Sequence, residues 1–209
     1  ATDAPASAPA GAPPRGFRSD NNAGLVPEAA EALVAGARGH AGGYGDDPWT
    51  ERAVAAFRAL LGPGAEVFLV ATGTAANTLA VAAMTEPWQQ VVCHVHSHWN
   101  DDESTAPERF TGCRTVPVAA TPDKVRAEDV ARIAANGRGD VHQPQPGVVT
   151  ISNPTEFGTV YRPEEVRAIA EAAHAGGYRL HVDGARLANA VASLGCAPRA
   201  VLGDAGVDA

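Results

Sequence analysis

Lysine is almost missing from this sequence. Its 209 residues carry 16 basic side chains, and Lys124 is the single lysine among them. A reaction that needs a lysine amine therefore has one candidate in these residues. Cysteine is also scarce: the 3 cysteines are widely and irregularly spaced, which fits neither a disulfide framework nor a zinc knuckle.

Positive charge and long apolar runs are lacking as well. The 16 basic residues face 24 acidic ones, giving a formal net charge of -8, which argues against a nucleic-acid reader. No run approaches the roughly 18 apolar residues of a membrane span, and no signal peptide is apparent. We expect neither a nucleic-acid nor a membrane partner, and a location in the reducing cytoplasm.

The amino-acid composition of the chain changes after residue 16. Residues 1–16 are mostly alanine, proline and glycine and are predicted to form a disordered tail. Residues 17–209 are predicted to form the folded part of the protein. Apolar periodicity predicts strands and helices that alternate along the second half, which favours an α/β fold with a mainly parallel sheet. The predicted strands are 66–71, 91–95, 115–118, 147–152 and 179–182. The predicted helices are 27–38, 50–61 (with Thr50 as its cap), 75–84, 127–135, 163–175 and 187–194.

Polar clusters follow four of the predicted strands. Ligands of parallel sheets bind beyond the carboxyl ends of the strands, so these clusters are expected to form one site. They are Thr72 to Thr74, His96 with His98, Asn153 to Glu156, and Asp183.

The Thr72-Gly73-Thr74 turn opens a helix directly after a strand. Free N–H groups and the positive end of the dipole make such a turn an anion site, whereas an ordinary helix cap is an equally good interpretation. His94, His96 and His98 would share one face of an extended segment. With Asp101 or Asp102 they suit a metal; one imidazole stacked on an aromatic ligand, or a solvated loop, are the alternatives.

Asp183 and Arg186 stand in the segment LHVDGARLANA. Charges placed at a strand end need partners. Asp183 suits a protonated ring nitrogen or a metal, and Arg186 suits a carboxylate, unless the two residues pair only to support the fold. Tyr44, in the glycine-dense loop GGYGDDPWT, is a candidate ligand contact.

Several segments, in their order, resemble the low-specificity L-threonine aldolases. They are FRSDNNAG, YGDDPWT, TGTAAN, the acidic stretch after His98, TEFGTVYRPEE and HVDGARLANA. Those enzymes use pyridoxal 5′-phosphate and have the fold type I, or aspartate-aminotransferase-like, architecture of the wider β-eliminating lyase group. The resemblance implies that residues 17–209 are the N-terminal portion and most of a cofactor-binding large domain.

The resemblance also implies roles for individual residues. Gly73 and Thr74 would hold the cofactor phosphate. His98 would stack on the pyridine ring and assist proton transfer at the substrate hydroxyl, which leaves little support for a metal. Asp183 would pair with the ring nitrogen, and Arg186 would bind near the ring oxygen or the substrate carboxylate.

Two further residues and an assembly are implied in the same way. Ser19 would help to bind the substrate carboxylate, and Tyr44 would line the site. Because these enzymes build their active sites across a dimer interface, the site lined by Tyr44 could be that of a neighbouring subunit. The full-length form is expected to be a homotetramer built as a dimer of dimers. Its substrate is expected to be a small amino acid.

The implied reaction is retro-aldol cleavage of L-threonine, L-allo-threonine and related β-hydroxy-α-amino acids to glycine and an aldehyde. A related β-eliminating lyase, or a non-catalytic remnant that binds a partner or a phosphate ligand, are the alternatives. The resemblance implies that the family's Schiff-base lysine lies just beyond Ala209, since in these enzymes it follows the DGAR segment at the end of the next strand. Lys124 is no substitute, because it follows Pro122 and Asp123 in a polar stretch typical of a solvated surface. We therefore expect a C-terminally truncated large domain that lacks its small domain, is inactive in isolation and is prone to aggregate.

Overall fold

A computed structural model describes residues 11, 16, 19–119 and 123–209 of the chain. The predicted tail, 1–16, falls outside the described residues except for Gly11 and Gly16. The chain divides into two compact units, one ending at Arg52 and the other beginning at Ala53.

The first unit contains a 3₁₀ turn, Asp20–Asn22, the helix α1 (Pro27–Gly36) and the start of α2 (Pro48–Leu61). The predicted helix 27–38 is confirmed, with an end two residues earlier. The predicted cap at Thr50 is wrong, because the carboxylate of Asp47 accepts hydrogen bonds from the N–H groups of Trp49 and Thr50, each at 2.9 Å. The Thr50 hydroxyl donates to the same carboxylate at 2.7 Å and so lowers the pKa of Asp47.

The second unit is built on a four-stranded parallel sheet. Its strands are β1 (Gln89–His94), β2 (Arg114–Val118), β3 (Gln145–Ser152) and β4 (Arg179–Asp183), in the order β2-β1-β3-β4. All three pairings are parallel, which confirms the predicted α/β architecture. The carboxyl ends of the strands therefore meet at one edge.

Helices flank this sheet. They are α3 (Gly73–Ala82), α4 (His98–Asp101), α5 (Ala106–Thr111), α6 (Ala127–Ala134), α7 (Pro163–Ala175) and α8 (Leu187–Leu194), followed by 3₁₀ turns at Pro198–Val201 and Gly203–Ala205. The predictions for α3, α6, α7 and α8 are confirmed within two residues at each end. Helices α4 and α5 were not predicted, because they are too short for a periodic signal. Within the described ranges, no helix combines the length and the apolar character that crossing a bilayer requires.

Apolar side chains cover both faces of the sheet. On one face Val92, Val149 and Leu180 pack in a cluster with side chains of α6 and α7. On the other face Val91 and Val148 pack with Val81 of α3 and with Trp99. Strands buried on both faces read as continuous apolar runs in the sequence, and for that reason these strands were predictable.

The predicted strand 66–71 is wrong. These residues have no regular structure, and the side chain of Phe68 is 83% exposed. A strand needs a neighbour to satisfy its backbone groups, and no strand of the described residues runs beside this segment. Apolar composition alone was therefore a misleading signal here.

The last residues of the chain lie along β4. The Val182 N–H donates to the Ala209 carbonyl at 2.9 Å, and the Ala209 N–H donates to the Leu180 carbonyl at 3.3 Å. This alternation is the hydrogen-bond pattern of parallel strands. The Asp208 carboxylate accepts from the Leu180 N–H and lies 2.8 Å from Nε2 of His174, which fixes this segment against the sheet.

Candidate active site

The candidate site lies at the carboxyl edge of the sheet in the second unit. Asp183 ends β4 and Ser152 ends β3. Helix α4 begins at His98, shortly after the end of β1, and α3 reaches the same edge through the hydrogen bond from Asn77 to Asp183. Most of the predicted site residues lie in this unit.

Asp183 is held from two directions. Its Oδ2 atom accepts a hydrogen bond from Nδ2 of Asn77 at 3.0 Å, and its Oδ1 atom accepts from the Ala185 N–H at 3.0 Å. The side chain remains half-buried rather than sealed. The two hydrogen bonds therefore fix the direction in which this carboxylate points.

Glu103 is the buried carboxylate of the site. Its side chain has no exposed surface. Its Oε1 atom accepts from Nδ2 of Asn77 at 2.8 Å and lies 2.9 Å from Nδ1 of His98. Its Oε2 atom has no hydrogen-bond partner within the described residues. Asn77 thus bridges two carboxylates, Glu103 and Asp183, and Glu103 in turn reaches the imidazole.

His98 begins α4 and is fixed at two atoms. Besides the contact of its Nδ1 with Glu103, its backbone N–H donates to Oε1 of Glu156 at 2.7 Å. The Glu156 oxygen also accepts from the Ser152 hydroxyl at 2.7 Å. The imidazole is 38% exposed, so a fixed ring is still open to a ligand.

The N-terminus of α3 supplies backbone donors one turn before Asn77. The Thr72 hydroxyl accepts from the Ala75 N–H at 3.1 Å, so the cap interpretation is confirmed. The N–H groups of Gly73 and Thr74 find no acceptor within the described residues. A Cβ built on Gly73 would meet nothing within 4 Å. The helix start is therefore both capped and open, and its remaining donors are available to an anion.

Arg186 follows Asp183 and stands at the N-cap of α8. Its side chain is half-buried, and the described residues give it neither a hydrogen bond nor an ion pair. The alternative in which Asp183 and Arg186 pair only to support the fold is thus wrong, since the partners of Asp183 are Asn77 and Ala185. A guanidinium without a protein partner suits an anionic ligand.

The three histidines do not share one face. His98 starts a helix instead of continuing the strand, because the chain turns at Ser97. Nδ1 of His94 accepts from the His96 N–H, Nδ1 of His96 lies 3.3 Å from Asp101, and His98 meets Glu103. Across the described ranges, no group of three or more His, Cys, Asp or Glu side chains could hold a metal ion.

Ser19 and Tyr44 belong to the first unit of the chain. The Ser19 hydroxyl accepts from the Asn21 N–H at 3.2 Å. Tyr44 is fully exposed and has a φ of 64°, a conformation uncommon for a side chain of its size. Their roles in substrate binding stay predictions.

Lys124 is not the solvated surface residue predicted from its polar neighbours. Its side chain is 20% exposed, and Nζ donates to the Val160 carbonyl at 2.7 Å and to both Glu165 oxygens at 3.1 Å. Burial alone would raise the pKa of Glu165, but hydrogen bonds from the Arg162 N–H and from Lys124 outweigh it and lower that pKa. The one lysine of the chain is therefore engaged in a structural ion pair.

Sequence reasoning missed Asn77, Glu103 and Glu156 as individual members of the site. Asn77 and Glu103 are buried polar residues, and buried polar groups need partners. The usable signals were an amide on the inner face of an Ala-rich helix and a glutamate five residues after His98. Neither signal identifies the partner, because those contacts join distant parts of the chain.

Comparisons with known proteins agree with the motifs. Residues 16–209 match the family model described as beta-eliminating lyase. Over 193 residues the chain is 45% identical to the low specificity L-threonine aldolase of Pseudomonas aeruginosa, covering 92% of this chain and 56% of that protein. Its identity to the enzyme of the same name from a Pseudomonas species is 42% over 193 residues.

Solved structures give the same relationship. The fold matches that of Leishmania major threonine aldolase with a TM-score of 0.80 at 29% identity, covering 86% of this chain and 53% of that one. The chain spans about half the length of the relatives that it matches. These matches confirm the resemblance drawn from the sequence motifs.

Proposed function

Because this chain belongs to the beta-eliminating lyase family, we propose that it is part of a lyase that depends on pyridoxal 5′-phosphate. The proposed reaction cleaves L-threonine, L-allo-threonine and related β-hydroxy-α-amino acids to glycine and an aldehyde. The identity to relatives named L-threonine aldolase supports this choice. The observation that carries it is the linked group of Asp183, Asn77, Glu103 and His98 at the carboxyl edge of the sheet.

The residues of the site fit the proposed cofactor. A protonated ring nitrogen needs a fixed, accessible carboxylate, and Asp183 is half-buried with both oxygens oriented by donors. A phosphate needs donors at an open helix start, which Gly73 and Thr74 provide. When bound, pyridoxal phosphate supplies the electron sink for carbon–carbon cleavage.

We propose that Asp183 keeps the ring nitrogen protonated and that the N–H groups of Gly73 and Thr74, with the Thr74 hydroxyl, bind the phosphate. The negative charge of the phosphate is favoured further by the α3 dipole. These contacts orient the cofactor, while the bond-breaking chemistry remains that of the cofactor itself.

His98 is proposed to stack on the ring and to accept the proton of the substrate β-hydroxyl. Its Nδ1 atom faces Glu103, which leaves Nε2 to act as a general base. Arg186 is proposed to bind the substrate carboxylate with two hydrogen bonds. Ser19 and Tyr44 are proposed to complete the substrate site.

Cofactor attachment requires a lysine other than Lys124. The amine of Lys124 is held by Glu165 and by the Val160 carbonyl. We therefore propose that the Schiff-base lysine lies outside these 209 residues. We also propose that the full protein is a homotetramer and that it is located in the cytoplasm.

A β-eliminating lyase is the second candidate, because the family model carries that description. Product analysis separates the two candidates. The protein, in the full form that its gene encodes, is incubated with pyridoxal phosphate and L-threonine. Equal amounts of glycine and acetaldehyde support aldol cleavage, ammonia with 2-oxobutanoate supports elimination, and the absence of both product pairs overturns the lyase proposal.

A further inference from the structure

Asn77 touches two carboxylates of the site, Glu103 and Asp183. It lies on α3 with 7% of its surface exposed. Its Nδ2 atom is 2.8 Å from Oε1 of Glu103 and 3.0 Å from Oδ2 of Asp183. Each of the two amide hydrogens thus has a carboxylate oxygen as its acceptor.

The neighbours of Asn77 fix the orientation of its amide. The nitrogen and oxygen of an asparagine are distinguished by their hydrogen-bond partners. If the amide were flipped, its oxygen would face two carboxylate oxygens, which have no proton to donate when ionised. The N–H groups of Asn77 therefore point to Glu103 and Asp183.

This orientation determines the direction of the next hydrogen bond. Oε1 of Glu103 receives the Asn77 donor and lies 2.9 Å from Nδ1 of His98. An ionised carboxylate only accepts, so the proton between them belongs to His98 Nδ1. In a neutral imidazole the other nitrogen, Nε2, then carries the free lone pair.

We propose that Asn77 is a positioning residue that sets the tautomer of His98 through Glu103. The same amide holds Asp183 in place, so one side chain aligns the general base and the carboxylate that faces the ring nitrogen. The role of Nε2 in the reaction rests on the proposed function. The tautomer itself does not, since it can be measured without substrate or cofactor.

The test is a long-range ¹H–¹⁵N correlation spectrum of the protein labelled with ¹⁵N-histidine, in the full form that its gene encodes. The His98 signals are assigned by their loss in His98→Gln. At a pH where the imidazole is neutral, we expect His98 to carry its proton on Nδ1. Asn77→Ala should lose this signature and move toward the Nε2–H form that predominates in free histidine.

Thr78→Val is the matched control. Thr78 is buried on the same helix, and its hydroxyl has no hydrogen-bond partner among the described residues, so this variant should keep the Nδ1–H signature. Asn77→Ser, which retains a single donor, serves if Asn77→Ala does not fold. It should show a smaller shift in the same direction.

Two results overturn the proposal. One is a wild-type spectrum with the His98 proton on Nε2, which needs no variant to interpret. The other is an Nδ1–H signature that stays unchanged in a folded Asn77 variant. A failure of the proposed function is separate, because it appears as missing lyase products while the spectra still report the tautomer.

Discussion

Nδ1 of His98 lies 2.9 Å from Oε1 of Glu103, a carboxylate with no exposed surface. A buried carboxylate next to an imidazole orients the ring and stabilises the imidazolium that forms when the other nitrogen takes a proton. Because Glu103 is also bonded to Asn77, the imidazole is connected to Asp183 on β4. The proposed acid–base group, His98, and the proposed partner of the ring nitrogen, Asp183, are therefore parts of one hydrogen-bonded network.

Replacing Glu103 with alanine should impair proton transfer by His98. General acid–base catalysis contributes about 10²- to 10⁴-fold, so kcat should fall within that range. Glu103→Gln should lose less, because its amide oxygen can still accept from Nδ1. The measurement is glycine formation from L-threonine under saturating substrate.

Glu171→Ala is the control for Glu103, since it removes an exposed carboxylate from α7. It should leave kcat unchanged. A Glu103→Ala protein that folds and turns over like the wild type would show that His98 does not depend on this carboxylate.

Lys124 should matter for stability and not for cofactor attachment. Lys124→Met removes the bonds to Glu165 and to the Val160 carbonyl, and we expect the free energy of unfolding in urea to fall by about 1–2 kcal/mol. The folded-state pKa of Glu165 is lowered. The ion pair therefore contributes fully above the ordinary glutamate pKa of 4.5, and this contribution is lost as the pH falls from there through the lowered folded-state pKa.

Borohydride reduction followed by peptide mass spectrometry tests the attachment claim. Lys124→Met should still form a reduced cofactor adduct in the full protein. An adduct located on Lys124, or one that disappears in Lys124→Met, contradicts the structural role assigned to this lysine.

His181 should make the fold sensitive to mild acid. It is buried on β4, with Nδ1 at 2.8 Å from the Thr150 hydroxyl. Burial lowers its pKa from the ordinary value of 6.5 to about 4. The unfolded chain therefore binds a proton before the folded chain does, and stability is lost as the pH falls from 6.5 toward 4. Between pH 7 and pH 5 the loss should be about 2 kcal/mol.

Urea unfolding at both pH values measures this loss. His181→Asn should reduce the difference between pH 7 and pH 5, while His142→Asn, the same change at an exposed position, should keep it. An equal pH dependence in wild type and His181→Asn would mean that other groups cause the acid sensitivity.

Local signals in the sequence were enough for most of the fold. The helix predicted at 187–194 is found as Leu187–Leu194, and Gly195 ends it with a φ of 63°, which glycine adopts without strain. The segment 66–71 shows the limit of such signals. Its composition suits a strand, but strand formation depends on a neighbour that the local sequence does not specify.

The location of the site was predictable from local signals, but the contacts within it were not. Strand ends indicated where Asp183 and His98 would lie, because the geometry of parallel sheets is general. Asn77 and Glu103 were missed because their importance comes from contacts between residues 26 and 106 positions apart in the sequence. The prediction for Lys124 was wrong for the same reason, because Glu165, the carboxylate that pairs with its amine, lies 41 positions away in the sequence.

The most direct test of the account is the affinity of this site for pyridoxal 5′-phosphate, measured by equilibrium titration of the full protein and of Asp183→Asn. The substitution removes a charged hydrogen-bond acceptor for the ring nitrogen, so binding should weaken by about 10- to 100-fold. Affinity for inorganic phosphate, which contacts only the α3 start, should not change. Equal affinity of the two proteins for the cofactor would contradict the proposed site.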